Sequence, residues 1–380
     1  MNRVVITGVG AVTPLGNTYA DIVAAMFAGA SGIKFSDVSQ ANVAKITLDV
    51  DSQFDHYDLA ATDVFARAAW LAYQQAKTDA GIDVDGVYIG TGAGAAHEVS
   101  RAILEYNERG RARPNSLVSS MSSGAASFIA ARDNISGPVF THGAACASSS
   151  VSIGEAYRAI RYGEVSVMAA GGSEFCISPV LVAQWRAMRA MGTRCSPFGA
   201  DRDGIILGEG SVVYILEQRE RAVARGARIY AEIVGYGISS GSETVTKPSE
   251  AAQCAAIDMA LKNIDPDCVT YVNAHGTGTP VGDLVELGSI KRMLAQGVPI
   301  SSTKALHGHL LGCSGAMELI ACLGVLERDQ IIPNWNLTAP DPAIPKGVNL
   351  PTIVLDCLQS VVLNNSFAFG GTNVVLALSK

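Results

Sequence analysis

The stretch GEGSVVYILE at residues 208–217 returns in altered letters as GGTNVVLALS at residues 370–379. Each reads as a glycine turn, a short polar step and an apolar strand, and such an echo points to an internal duplication. The opening VVITGVG, from Val4, is likewise restated by IYAEIVGYG at 229–237. A second α/β unit is therefore predicted to begin near residue 226, beyond the basic run QRERAVARGAR, which divides the chain into halves 1–225 and 226–380. Two such sheets packed on shared helices make five layers.

Between these echoes helix and strand alternate. ATDVFARAAWLAYQQAKTDA (61–80) carries helical apolar spacing and is ended by Gly81. VYIGTGAG from Val87 reads as a strand running into a glycine turn, and VSVMAAGG (165–172) as another strand. The first glycines, GVGAVTPLG, imitate a dinucleotide loop, but a GxGxxG fingerprint needs glycine where Thr13 stands.

Composition narrows the class. Of 380 residues, 48% are hydrophobic and 17% charged, with 39 glycines, the profile of a glycine-rich α/β enzyme and not of a disordered chain. A net charge of −7 argues against a general nucleic-acid binder. The eight cysteines form no CxxC pair, which disfavours zinc or a disulfide framework and fits a reducing, cytoplasmic setting. No signal-peptide pattern and no long apolar run suggests a membrane span.

The chemistry concentrates in VFTHGAACASSSVSIGEAYRAIRYG (139–163), read as a buried strand delivering Cys146 to the start of a helix. A thiol there faces unpaired backbone N–H groups and the positive end of the dipole, which favours thiolate, although a buried structural cysteine fits the segment equally well. Three further polar turns follow strand-like runs: NAHGTGTPVGD with His275, Thr277 and Thr279; STKALHGHLLG with Lys304, His307 and His309; and NSFAFGGTN with Phe367, Ala368 and Phe369. In an α/β sheet such turns gather at one edge, where ligands bind. A cysteine nucleophile with two neutral hydrogen-bonding histidines is the constellation they suggest. His307 and His309 do not make a metal pair, because no carboxylate or cysteine lies beside them at ligand spacing.

On these four ordered motifs, ACAS around Cys146, NAHGTGTPVGD, STKALHGHLLG and NSFAFGGTN, the chain resembles the elongating β-ketoacyl-(acyl carrier protein) synthases, condensing enzymes of the thiolase superfamily, from end to end. The resemblance implies an α/β, thiolase-like five-layered αβαβα fold from two duplicated βαβαβ halves. It also implies an acyltransferase that performs decarboxylative Claisen condensation in fatty-acid or type II polyketide biosynthesis. Cys146 would carry the acyl chain, and His275 and His309 would donate Nε2–H bonds to the enolate oxygen. The backbone N–H groups of Cys146 and Phe369 would form the oxyanion hole. Lys304, held by Glu286, would order the histidines. Thr277 and Thr279 would hold the pantetheine arm, with Ile205 and Phe367 against the substrate.

The same resemblance implies no metal and no cofactor beyond the phosphopantetheine arm on the carrier. Its partners are an acyl carrier protein and a second subunit, either a homodimer or a heterodimer with a cysteine-less chain-length partner, with no nucleic acid and no membrane. The chain departs from the family at Ile205, where phenylalanine is usual, and at Ala368, where glycine is usual. A left-handed backbone at Ala368 would cost about 1 kcal/mol. The usual basic docking helix keeps only Arg67, so Arg109, Arg111 and Arg113 are substitute candidates for meeting an acidic carrier. A thiolase would want a second catalytic cysteine near the end, and Cys357 lies outside the glycine turn. A Cys-His-Asn initiating synthase is disfavoured by His309, and a non-catalytic chain-length subunit by Cys146.

Overall fold

The computed structural model describes residues 1–242 and 244–380. Ten strands form its main sheet: β1 (Val4–Val12), β2 (Gly86–Gly90), β3 (Val139–His142), β4 (Val167–Glu174), β5 (Gly210–Gln218), β6 (Ala231–Ser240), β7 (Val269–Asn273), β8 (Ile300–Ser301), β9 (Val361–Phe367) and β10 (Thr372–Ser379). From the centre outward one side runs β1, β5, β4, β2, β3 and the other β6, β10, β9, β7, β8. Each strand thus has its counterpart five numbers on. The senses match as well: β1, β5 and β4 pair antiparallel and β4, β2 and β3 parallel, as do β6, β10 and β9 and then β9, β7 and β8. The two sides meet at Val4–Ile233, Val5–Glu232 and Ile6–Ala231. The repeated stretches that open the sequence reading are β5 and β10.

Five helices complete the layers that matter for the site: α1 (Val64–Ala80), α2 (Ser148–Arg161), α3 (Glu250–Ala260), α4 (Gly282–Met293) and α5 (Ser314–Arg328). Helices α2 and α5 are buried together in the middle, where Ile153 and Ile160 of α2 and Met317 and Ile320 of α5 share one core with Ile6, Tyr214, Val362 and Leu376. Helix α1 packs outside the first half through Phe65, Ala69, Ala72 and Ala76 against Val87, Ile89 and Val213. Helices α3 and α4 do the same outside the second, through Ile257, Ala260, Leu287 and Ile290. Small residues on one side and branched ones on the other let these layers interdigitate at core density.

The echo of VVITGVG in IYAEIVGYG has a packing cause. A Cβ on Gly8 or Gly10 would lie 2.2 Å from the Ala76 carbonyl oxygen or 1.9 Å from that of Ala72, both on α1. A Cβ on Gly235 or Gly237 would lie 2.0 Å from the carbonyl oxygens of Ala260 and Ala256 on α3. In both halves the alternate glycines let a helix rest backbone against strand.

Two boundaries and the burial of one strand differ from the sequence reading. Helix α1 starts at Val64 because the Asp63 carboxylate accepts from the Phe65 N–H and fixes the cap. The strand expected at 165–172 is β4, Val167–Glu174. Strand β3, expected to be buried, is the outermost strand of its half, with Phe140 56% exposed, because it has a neighbour on one side only. Among the described residues no helix is long and apolar enough to cross a membrane.

Candidate active site

Cys146 sits in a single 3-10 turn, Ala145–Ala147, between β3 and α2. Ala145 adopts φ 46°, a left-handed conformation that costs a non-glycine residue about 1 kcal/mol or more. The Ser148 hydroxyl holds the bend, accepting from the Ala144 N–H at 2.9 Å and donating to the Ala145 carbonyl at 2.7 Å. The strain points the thiol out of the helix end into the core, 3.1 Å from Nε2 of His309. The Phe369 N–H also hydrogen-bonds to it. Burial pushes the Cys146 thiol up to about 12, against the pull of the Lys304 charge and that N–H. Against the sequence expectation that the helix end favours a thiolate, burial favours the neutral thiol.

The turn that carries Cys146 has a double. Leu311, with φ 45°, opens a second 3-10 turn, Leu311–Cys313, which runs into α5 at Ser314 as the first runs into α2 at Ser148. Gly312 stands where Cys146 stands in the first.

His309 is fixed by backbone. Its N–H donates to the Ile206 carbonyl at 2.7 Å and its carbonyl accepts from the Gly208 N–H at 2.8 Å, so the segment after Ile205 runs beside it as a short parallel bridge. Its Nδ1 lies 2.6 Å from the Ser314 hydroxyl. His275 follows β7, and its own N–H and that of Gly276 donate to the two oxygens of Glu286 at 2.7 and 2.8 Å. The two rings stand edge to face with centroids 5.3 Å apart. Nδ1 of His275 lies 3.4 Å from the Lys304 ammonium, which also donates to the His275 carbonyl and pairs with Glu318. An ammonium has donors only, so Nδ1 is the acceptor and the proton of His275 sits on Nε2. Burial first, and the Lys304 charge second, hold both imidazoles well below the ordinary histidine range and hence neutral.

Cys146, His275 and His309 thus present donor atoms that all lie within 4.8 Å of one another, from turns belonging to both halves. The three are spaced as ligands of a divalent ion could be, but the Lys304 charge against His275 repels a second cation there.

Glu286 does not hold Lys304, as the sequence reading had it. Its carboxylate is taken by the two N–H groups of the His275 turn and by Asn365 at 3.2 Å, and burial pushes it up to about 7. Lys304 instead reaches α5, where Glu318 is likewise raised by burial to about 7.

A cavity of about 440 Å³ opens onto the thiol. Thr277, Thr279, Ile205, Phe367 and Phe369 line it with the two histidines. The Thr277 and Thr279 hydroxyls lie 3.1 Å apart. The Phe369 ring stacks on Trp185 with centroids 6.0 Å apart. Ala368 has no left-handed backbone, contrary to the concern raised by its sequence; Gly370 and Gly371, at φ 82° and 83°, carry the turn instead.

The basic candidates separate. Arg67 is buried, bonded to Asp51 and to the Thr62 carbonyl, and cannot meet a partner. Arg113 is held by Glu98 and Glu105 at 2.7 Å each. Arg109, at the end of the helix Ala96–Arg109, and Arg111 are exposed.

Comparison with known proteins places this geometry. The description "Beta-ketoacyl synthase, N-terminal domain" matches residues 1–222, and "Beta-ketoacyl synthase, C-terminal domain" matches residues 230–338. The chain belongs to the β-ketoacyl synthase family. This synthase is 37% identical to the 3-oxoacyl-[acyl-carrier-protein] synthase 2 of Synechocystis sp., covering 100% of the chain and 98% of that relative. In structure it resembles the ishigamide ketosynthase/chain length factor (TM-score 0.93, 28% identity, 100% and 99% covered). It also resembles a type II polyketide ketosynthase solved with its acyl-carrier protein, AntDE:AntF (TM-score 0.91, 28% identity, 100% and 99% covered).

Sequence reasoning about this synthase missed Glu318 and Ser314. Both lie on α5, one turn apart, within the apolar run SGAMELIACLGVLE. One signal was present: Glu318 is the one charged residue within the run at 316–326, so it must be buried with its apolar neighbours, and a buried carboxylate requires a cationic or hydrogen-bonding partner.

Proposed function

We propose that this β-ketoacyl synthase condenses an acyl thioester with a malonyl unit carried on an acyl carrier protein, Cys146 being the nucleophile. The observation that carries this assignment of roles is the convergence of Cys146 Sγ with ring nitrogens of His275 and His309 within 4.8 Å.

In the first step Cys146 attacks the acyl carbonyl. Because its thiol is held up near 12, the proton leaves as the bond forms, and His309 Nε2 at 3.1 Å is placed to receive it. The Ser314 hydroxyl can donate to Nδ1 or accept from it, so His309 can carry its proton on either nitrogen. The oxyanion lies against the N–H groups of Cys146 and Phe369. The intermediate collapses to acyl-Cys146, and the departing carrier thiolate takes the proton.

In the second step the carbon–carboxylate bond of the malonyl unit breaks, CO2 leaves, and the electron pair forms an enolate whose charge rests on the thioester oxygen. His275, with its proton fixed on Nε2, and His309 donate to that oxygen, each contributing on the order of 2–4 kcal/mol. Neutral imidazoles suit this role, since a charged ring would hold the enolate too tightly to let its carbon react. The enolate carbon then attacks acyl-Cys146, the carbon–sulfur bond breaks, and one solvent proton restores the thiol.

Thr277 and Thr279 are read as the hydroxyls that meet the pantetheine arm, and Arg109 and Arg111 as the remaining exposed candidates for the carrier. The second subunit is read as another copy of this chain, joined along the open edge of β3 where Phe140 is bare. A cysteine-less partner is the other outcome that sedimentation of the purified chain would distinguish.

The test is a pair of variants. Cys146→Ala abolishes condensation, and wild-type turnover by it overturns the assignment. Cys146→Gln abolishes acylation but retains malonyl decarboxylation; if decarboxylation vanishes while the protein stays folded, the two-histidine role is wrong.

A further inference from the structure

The cavity that reaches Cys146 extends behind the Phe369 turn to a wall made by α3, α4 and the start of β10, where Gln253, Glu286 and Asn373 line it. Gln253 is 1% exposed. Its Oε1 lies 2.7 Å from the Ser289 hydroxyl of α4, which also reaches the Val285 carbonyl at 3.0 Å, and with the amide in this orientation Nε2 is the end left for the cavity. Among the described residues Nε2 meets no acceptor. Asn373, 3% exposed, donates through Nδ2 to the Gly371 carbonyl at 2.9 Å, and its Oδ1 receives no donor among the described residues.

Two almost fully buried side chains thus offer one cavity a free donor and a free acceptor. Neither atom is sealed from the cavity, so water there meets both until a ligand replaces it. The ligand chemistry that satisfies both at once is a secondary amide, whose carbonyl accepts from Gln253 Nε2 and whose N–H donates to Asn373 Oδ1.

We propose that Gln253, with Asn373, forms a subsite for an amide of the arm that bears the substrate thioester. Gln253 is thereby a specificity-determining residue for amide-bearing over amide-free thioesters. The inference rests on the condensing reaction proposed above and deepens it. The arm of a pantetheine carrier contains two secondary amides separated by short methylene spacers. The same cavity joins the wall to Thr277 and Thr279 and then to the thiol, so one extended ligand can touch all three.

The experiment uses the full chain and three malonyl thioesters, of pantetheine with two amides, of N-acetylcysteamine with one, and of a simple alkanethiol with none. In Gln253→Leu, kcat/KM for the pantetheine thioester is expected to fall about tenfold through KM, with the alkanethiol ester unchanged. The response of the N-acetylcysteamine ester then identifies which amide is held. Gln253→Glu retains the acceptor for Ser289 and replaces the donor with an oxygen, so it should show the same loss at neutral pH and serves if the leucine variant does not fold. An unchanged preference among the three esters, or an equal loss on all of them, overturns the subsite. Full condensation by Cys146→Ala would instead overturn the reaction itself, whatever the ester preference.

Discussion

Lys304 and Glu318 form an ion pair with both side chains fully buried, and the same ammonium lies 3.4 Å from Nδ1 of His275. The pair therefore joins the central helix layer to the ring that meets the substrate. Removing one member leaves the other charge alone in the core.

Lys304→Met should lower stability by about 3–5 kcal/mol, the usual consequence of stranding a buried charge. Lys304→Met combined with Glu318→Leu should recover much of that loss in urea unfolding. Decarboxylation should stay at least tenfold down in the double variant, because nothing then fixes the proton of His275 on Nε2. A double variant with the parental rate would show that the lysine acts on stability alone.

The sulfur of Cys146 should behave as a neutral thiol at rest. Its alkylation by iodoacetamide, followed by mass spectrometry of the peptide that contains it, should accelerate tenfold per pH unit and continue to do so beyond pH 9. Cys268, which is exposed, provides the internal comparison. A plateau near pH 7 would mean that the helix end and Lys304 outweigh burial.

Glu209 supplies a pH dependence of stability. It is 7% exposed, and burial raises its carboxyl to about 7, with Lys45 pulling the other way. Between the ordinary carboxylate value and about 7 the folded chain retains a proton that the unfolded chain has lost. Stability from this group is thus full at the acid end and declines as pH rises through that window, by roughly 1.4 kcal/mol per unit. Glu209→Gln should flatten the decline measured by urea unfolding at pH 5.5 and pH 8. Parallel curves for the two proteins would remove Glu209 as the cause.

Gly10 tests the strand-to-helix packing. A Cβ there would lie 1.9 Å from the Ala72 carbonyl oxygen, and both backbones are fixed by the sheet and by α1. Gly10→Ala should cost more than about 3 kcal/mol. Gly81, with φ 64° and nothing within 4 Å of its Cβ position, should cost only about 1 kcal/mol in the same exchange. Thermal unfolding of the two variants makes the comparison.

Much of this was legible because it is written in local patterns. The apolar strands after glycine turns, Gly210–Gln218 and Thr372–Ser379, announce the duplication, and Cys146, His275, Lys304 and His309 stand in motifs with their own glycines. What was not legible depends on distance and solvent. Glu286 and Glu318 are both acids on helices, and only the packing of α5 against the Lys304 turn decides which one meets the ammonium. Arg67 looks like a surface charge in a helix start, yet Asp51 and the Thr62 carbonyl draw it inside. The protonation of Cys146 is the balance of a helix end against burial, and a one-dimensional pattern carries only the first of these.

The matched bends at Ala145 and Leu311 make the molecule symmetric in backbone but not in reactivity. At Gly312 a Cβ would lie 2.3 Å from the Gly92 nitrogen and 2.6 Å from a Glu174 oxygen. That carboxylate already accepts from the N–H groups of Gly92, Ala93 and Gly312. The acceptor oxygen that substrate supplies transiently at one bend is built permanently into the other by the Glu174 carboxyl group. Exhaustive loading with an acyl donor should therefore saturate at a stoichiometry of one per polypeptide, and no single exchange at the twin bend can raise it.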